Sequence, residues 1–265
     1  MDEHELLSRV CETNAGYLAV GNERFEAHGA TFIRNHATPR RHDANCIALV
    51  RTASPPETEA LLRRAGLEFD GQPHRTFSID ALTPAPFVAR LALEDGYKHS
   101  EVLVHVLEDA LAVAPGGVEI RKVLTEEDWQ AYRELDAMWW QETSLGALGP
   151  YDPAIHDEFM VSRRAKAPAV RGWFACVGGV ARAFFSSWPG DNGVGIVEDL
   201  YCHPDYRHRG LATALIAHCV ADCRDRGAGP VIINSNIDDT PKHLYAKLGF
   251  RPLYVGRGYT KKLEG

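Results

Sequence analysis

The 265-residue chain has no CxxC pair, no apolar run approaching the roughly 18 residues a membrane-spanning helix needs, and no basic surplus. Each absence removes a class of function. With 29 Lys+Arg against 36 Asp+Glu the formal net charge is −7. No nucleic-acid partner is expected, because phosphate neutralisation needs clustered Lys and Arg, and no membrane partner is expected on the same ground. A P-loop spelling is missing, and Gly193-Val-Gly195 precedes its strand instead of following it, so the dinucleotide fingerprint fails too. The six cysteines (Cys11, Cys46, Cys176, Cys202, Cys219, Cys223) have no paired His set. They read as reduced, buried thiols, and no metal is expected. The opening Met-Asp-Glu-His-Glu lacks a positive segment followed by an apolar one, so the expected location is cytoplasmic.

What is present is ordinary globular composition, 45% hydrophobic and 25% charged, at a length comfortable for two domains. The charge divides unevenly: residues 1–114 hold 11 Lys+Arg against 17 Asp+Glu (−6), and residues 115–265 hold 18 against 19 (−1). The breaker cluster Val113-Ala-Pro-Gly-Gly-Val118 lies at that division. The expected organisation is therefore an acidic domain at 1–114 and a second domain at 115–265. All five tryptophans (Trp129, Trp139, Trp140, Trp173, Trp188) fall in the second.

Patterning gives that second part a helix opened by Thr125 with Asp128 as its capping partner, and a helix over about 152–165. Strand patterns at 170–177, 180–187 and 194–202 are separated by Gly-rich turns and predict an antiparallel meander. A strong helix pattern follows at 210–226, then a short β-branched strand at 230–235. A last helix begins with Thr240 and Pro241 and turns at Gly249. The fold class is α/β (α+β), with a mixed, largely antiparallel sheet flanked by helices.

The informative stretch is Val197-Glu-Asp-Leu-Tyr-Cys-His-Pro-Asp-Tyr-Arg-His-Arg-Gly-Leu-Ala212. A strand entering a tight turn and then a helix leaves the first helical N–H groups unpaired, and with the helix dipole these make a phosphate site. Arg207 and Arg209 add charge, and Gly210 removes a Cβ from the approach. A diphosphate-bearing ligand suits such a turn. These residues resemble the GNAT superfamily of N-acetyltransferases, whose acetyl-CoA loop [RQ]xxGx[GA] is met by Arg207-His-Arg-Gly-Leu-Ala212. The resemblance runs over about residues 118–263, and Leu244-Tyr-Ala-Lys-Leu-Gly-Phe250 is similar to the family's LYxKLGF segment.

The resemblance implies acetyl-CoA as co-substrate and a small primary amine as acceptor. It implies that backbone groups of Leu200, Tyr201 and Cys202 pair with the pantetheine arm. Amides of Arg207, His208, Arg209, Gly210, Leu211 and Ala212, with Thr213, hold the pyrophosphate. Tyr245 takes the place of the tyrosine that protonates the leaving thiolate; its other reading is a core aromatic on an amphipathic helix. The family's asparagine seven positions before that tyrosine is replaced by Asp238, leaving Asn236 or Asn234 as the pantetheine contact. Glu198 stands where many members carry the general base, and an attacking amine independently needs a carboxylate there. Strand alternation sets Glu198 with Leu200 on one face and Asp199 with Tyr201 on the other, and Glu198 is preferred over Asp199. The acceptor site is expected around Trp139, Trp140, residues 145–151 and Phe159.

Residues 46–51, 55–65, 75–79 and 86–94 repeat the strand, helix, strand, helix order, ending at Gly96-Tyr97. Ile47 to Tyr97 spans 50 positions, and Ile196 to Phe250 spans 54. The first part reads either as a degenerate repeat of the second, with Thr52-Ala-Ser-Pro-Pro56 in place of the loop, or as an unrelated α+β domain. The expected activity is acetyl transfer by direct attack in a monomer or homodimer. A non-catalytic acetyl-CoA-binding or regulatory module is the alternative.

Overall fold

The computed structural model describes residues 1–112, 116–143, 149–238 and 240–263. The expected domain boundary at 114 and 115 lies outside them. In the N-terminal half the order is α1 (Glu3–Ala19), β1 (Glu23–Ala27), β2 (Ala30–Arg34), β3 (Cys46–Ala48), α2 (Pro55–Glu68), β4 (His74–Ile79), α3 (Ala85–Ala92) and β5 (Tyr97–Leu107). The C-terminal half opens with β6 (Glu119–Lys122), α4 (Glu126–Thr143) and α5 (Pro153–Lys166). It continues with β7 (Arg171–Val177), β8 (Val180–Trp188), β9 (Gly195–Cys202), α6 (Leu211–Asp225), β10 (Val231–Asn236), α7 (Pro241–Lys247) and β11 (Arg251–Lys262).

Local chemistry explains several boundaries. The Asp128 N–H donates to Thr125 Oγ1 while the Asp128 carboxylate accepts from the Thr125 N–H, a reciprocal cap that starts α4. Asp152 accepts from the Ala154 and Ile155 amides ahead of Pro153 and so starts α5. Asp2 does the same for α1 through the Glu5 amide, although nothing in the patterning predicted α1, β1, β2 or β11.

All the described strands join one sheet in the order β1-β2-β3-β4-β11-β5-β10-β9-β8-β7-β6. The predicted meander is β7, β8 and β9, paired antiparallel. The two halves share one plan. In each, two antiparallel pairings (β1-β2-β3, β7-β8-β9) lead through a helix into a parallel neighbour (β3 with β4, β9 with β10). Each half then sends its last strand across: β11 pairs with β4, and β5 pairs with β10. β5 and β11 pair with each other at the centre over ten aligned residues. Hydrogen bonding therefore runs unbroken across the two halves.

The core forms layers on both faces. Leu211, Leu215 and Cys219 of α6 bury against Val197, Ile233 and Leu107. Leu61 and Ala65 of α2, with Phe87 and Leu91 of α3, bury against Ile47 and Phe77. On the opposite face α1 lays Leu6, Val10 and Tyr17 over Val104, Ile196 and Ile232, while α4 and α5 place Tyr132, Leu135 and Met160 against Phe174, Phe184 and Tyr201. About 25 cal/mol per Å² of apolar area removed from water drives each layer.

Candidate active site

β9 and β10 pair only from Gly195↔Val231 to Val197↔Ile233. Beyond Val197 they part, while β10 stays hydrogen-bonded to β5 on its other edge. The splay opens a cavity of about 330 Å³ lined by Glu198, Leu200, Tyr201, Asn234, Asn236 and Tyr245, among others. Five of the predicted residues thus meet at one opening between two strands.

The parting coincides with a β-bulge. Ser186 faces Glu198 but Phe184 faces Tyr201, so β9 carries one extra residue, and Asp199 takes φ +67°. The bulge overturns the expected alternation. Glu198 and Asp199 both line the cavity and point toward the α1 and α5 side with Tyr201, while Leu200 packs with Val197 and Cys202 on the α6 side. The N-terminal half repeats the device at Leu49, φ +49°, two residues past the single parallel pair Ile47↔Phe77, as Asp199 is two past Val197↔Ile233. By that register Ala48 stands where Glu198 does. Arg51 and Asp80 bridge the corresponding splay with two hydrogen bonds of 2.9 Å.

The two adjacent acids have different partners. Asp199 is neutralised by Arg163 Nη1 at 2.5 Å and accepts from the Tyr17 hydroxyl at 3.0 Å. Arg163 is anchored in turn to the fully buried Asp136 at 3.0 Å, which also meets His156 Nε2 at 3.0 Å. Burial pushes the Asp136 carboxyl up, but Arg163 and His156 outweigh it and hold it below the ordinary range. Glu198 has no cation against it in the described residues; its Oε1 accepts from Asn234 Nδ2 at 2.5 Å. Asn234 Nδ2 also donates to Asn14 Oδ1 at 2.9 Å, which ties this carboxyl to α1. Burial, reinforced by the Asp199 charge, pushes the Glu198 carboxyl up to about 8 against the Asn234 bond. A carboxyl so poised exchanges a proton near neutrality.

The turn after β9 has the predicted form. Gly210 adopts φ +82° as N-cap of α6, and a Cβ there would meet nothing within 4 Å. Its backbone conformation is what favours glycine, and the space beside it is open. The first helical bond runs from the Ala214 N–H to the Gly210 carbonyl, leaving the Leu211, Ala212 and Thr213 amides ahead of the ladder. His208 and Arg209 are exposed, Arg209 lying 5.1 Å from the Tyr206 ring centre. Arg207 is more committed: it donates to the Cys202 carbonyl at 3.1 Å and to Glu142 at 2.6 Å. The side chain of Leu211 is buried in the core. Cys202 lies partly buried at the strand end, and Tyr245 is buried with its ring edge-on to His105 at 5.6 Å.

The expected acceptor region divides. Trp139 lines the cavity, but Trp140 and Phe159 are core, with Trp140 Nε1 donating to the Gly149 carbonyl at 3.1 Å. Residues 144–148 lie outside those described. A second cavity of about 360 Å³ opens instead between α1 and the centre of the sheet and shares Glu198, Asp199 and Asn234 with the first. Sequence reasoning missed Asn14, Tyr17, Arg163 and Asp136. Only Asp136 left a signal, an acid among the apolar positions of α4. No cluster of three or more potential metal ligands occurs among the described residues, and no described helix is long and apolar enough to cross a membrane.

Comparison with known proteins agrees with this architecture. Residues 125–250 match the acetyltransferase (GNAT) family. Among solved structures, a GCN5-related N-acetyltransferase from Kribbella flavida is similar at TM-score 0.67 and 18% identity, covering 98% of this chain and 96% of that one. A conserved protein of unknown function from Staphylococcus epidermidis is similar at TM-score 0.67 and 13% identity, covering 92% and 96%. A tandem GNAT protein of the clavulanic acid biosynthesis pathway is similar at TM-score 0.56 and 16% identity, covering 82% and 73%. No curated protein sequence matches the chain.

Proposed function

We propose, from the match of residues 125–250 to the acetyltransferase (GNAT) family, that the chain moves the acetyl group of acetyl-CoA to a primary amine of a small molecule. The observation that carries this reading is Glu198, a carboxyl raised to about 8 and held by Asn234 at a strand splay that ends in an open helix N-terminus. The residues suit acetyl-CoA. A β9 edge released from β10 offers backbone groups at Leu200, Tyr201 and Cys202 to a pantetheine amide chain, and Asn236 on the cavity wall adds a side-chain contact. The amides and charges of residues 207–213 face a diphosphate without a Cβ at Gly210.

In this mechanism Glu198 accepts the ammonium proton, directly or through a water, as the amine nitrogen attacks the thioester carbonyl. A backbone N–H of the free β9 edge stabilises the oxyanion while the C–N bond forms. The C–S bond then breaks, Tyr245 delivers a proton to the thiolate, and the phenolate so formed takes the second proton from the acetylated nitrogen. Asp199 is a positioning residue, since Arg163 and Tyr17 already occupy it. Cys202 needs no covalent role. Residues 1–114 are read as a degenerate repeat of residues 115–265: they share its pairing plan, but Ala48 replaces the base and an Arg51–Asp80 pair fills the splay. Free-thiol release from acetyl-CoA with an amine panel tests the proposal. Glu198→Gln and Tyr245→Phe should each lose turnover while still binding acetyl-CoA. Unchanged transfer in both would overturn these two catalytic assignments, and binding of acetyl-CoA with no turnover on any amine would leave a binding module as the better reading.

A further inference from the structure

The second cavity touches the first only where Glu198, Asp199, Asn234 and Val102 line both. Most of its wall comes from the N-terminal half: α1 forms the roof, β3 and β4 one side, and β5 with the exchanged strand β11 the floor. Alternate residues Thr76 and Ser78 of β4, with Asp80 just past its end, face inward, as do Ser100, Val102 and Val104 of β5. At the matching floor positions of β11 stand Gly256 and Gly258, between Tyr254 and Thr260. Glycine weakens a strand interior, and neither of these two has the positive φ that would require it. A Cβ on Gly258 would lie 3.0 Å from Ser100 Oγ, and one on Gly256 would lie 3.5 Å from the Ile79 carbonyl oxygen. The two glycines hollow the floor at the centre of the sheet, directly under α1.

The lining selects a class of guest. Apart from Glu198, its acidic groups and its arginine are already paired: Asp43 with Arg41, Asp80 with Arg51, Asp199 with Arg163, and Arg257 with Glu101. Burial holds His42 toward its neutral form and the Cys11 thiol toward its protonated form. What faces the space is hydroxyl and amide (Ser78, Ser100, Thr260, Asn14) with aliphatic wall from Leu18 and Leu49. A second ammonium or a carboxylate entering here would lose its water without gaining an unpaired counter-charge among the described residues.

We infer that this chamber is the acceptor subsite and takes a small monoamine with a neutral, hydroxyl-bearing body, the amino group at Glu198 and the body over Gly256 and Gly258. The inference rests on the acetyl-transfer reading. It makes the N-terminal half the larger part of the acceptor site. The test is steady-state kinetics of the full chain by thiol release, with tyramine and 6-amino-1-hexanol as hydroxylated monoamines, spermidine as a polyamine and lysine as a zwitterion. Wild type is expected to favour the first two. Gly256→Val and, independently, Ser78→Leu fill the chamber from different strands and should each raise the amine KM tenfold or more. Acetyl-CoA affinity by titration and the melting temperature should not change. Unchanged amine KM in both variants, or a wild-type preference for spermidine or lysine, overturns the chamber assignment while leaving acetyl transfer standing. Wild type that binds acetyl-CoA but acetylates none of the amines overturns the transfer reading and this inference with it.

Discussion

If Glu198 is the base, its carboxyl at about 8 should govern the rate. Deprotonation is required for it to accept a proton, so about a tenth of the enzyme is competent at pH 7, and kcat/KM should rise about tenfold before levelling above pH 8. An aminooxy acceptor keeps the nucleophile's own ionisation out of that range, and free thiol reports turnover. Glu198→Gln should lower the rate by about 10²- to 10⁴-fold and flatten the profile. Asp199→Asn should move the inflection to lower pH, since the Asp199 charge is the second cause of the upward shift. The same residue makes a stability prediction. Its folded pKa lies above the unfolded value of 4.5, so its contribution is fully present below 4.5 and is lost as the pH rises through about 8. Above pH 8 Glu198→Gln should be more stable than wild type by on the order of 3 kcal/mol, after discounting for partial exposure. A pH-independent rate between 6 and 9, or Glu198→Gln activity within about twofold of wild type, would refute the reasoning.

Two further perturbations act on other parts of the site. Gly210→Val forces a β-branched residue into φ +82° at the α6 N-cap, costing about 1–2 kcal/mol and weakening acetyl-CoA at least tenfold by titration. An unchanged Kd would separate this turn from the cofactor. Arg163→Met leaves the buried Asp136 and the Asp199 carboxylate without their shared cation and should cost about 3–5 kcal/mol in urea unfolding. A loss below about 1 kcal/mol would mean that the ion network does not hold α5 to β9.

Patterning recovered what local chemistry encodes. The Thr125–Asp128 cap, the β7-β8-β9 meander and the Gly210 turn were readable because side-chain capping, Gly-rich turns and positive φ leave residue-level marks. The cavity residues Glu198, Leu200, Tyr201, Asn236 and Tyr245 sit on three elements, β9, β10 and α7, and their roles came from the family resemblance together with the need of an attacking amine for a base. The bulge at Asp199 was not readable, since no glycine or asparagine marks it, and it parted Glu198 from Leu200 and set Glu198 on the same side as Asp199. Nor was the exchange of β5 and β11: strand partners 156 residues apart, such as Glu101 and Arg257, are set by the whole sheet. The contact of Asn14 with Asn234, which brings α1 to the base, depends on that same long-range assembly.

The most direct test of acetyl transfer is the mass of an amine acceptor after incubation with isotopically labelled acetyl-CoA. The account predicts an acceptor carrying the labelled acetyl group with wild type and little or none with Glu198→Gln. Wild type that binds acetyl-CoA yet returns every amine unlabelled would contradict it.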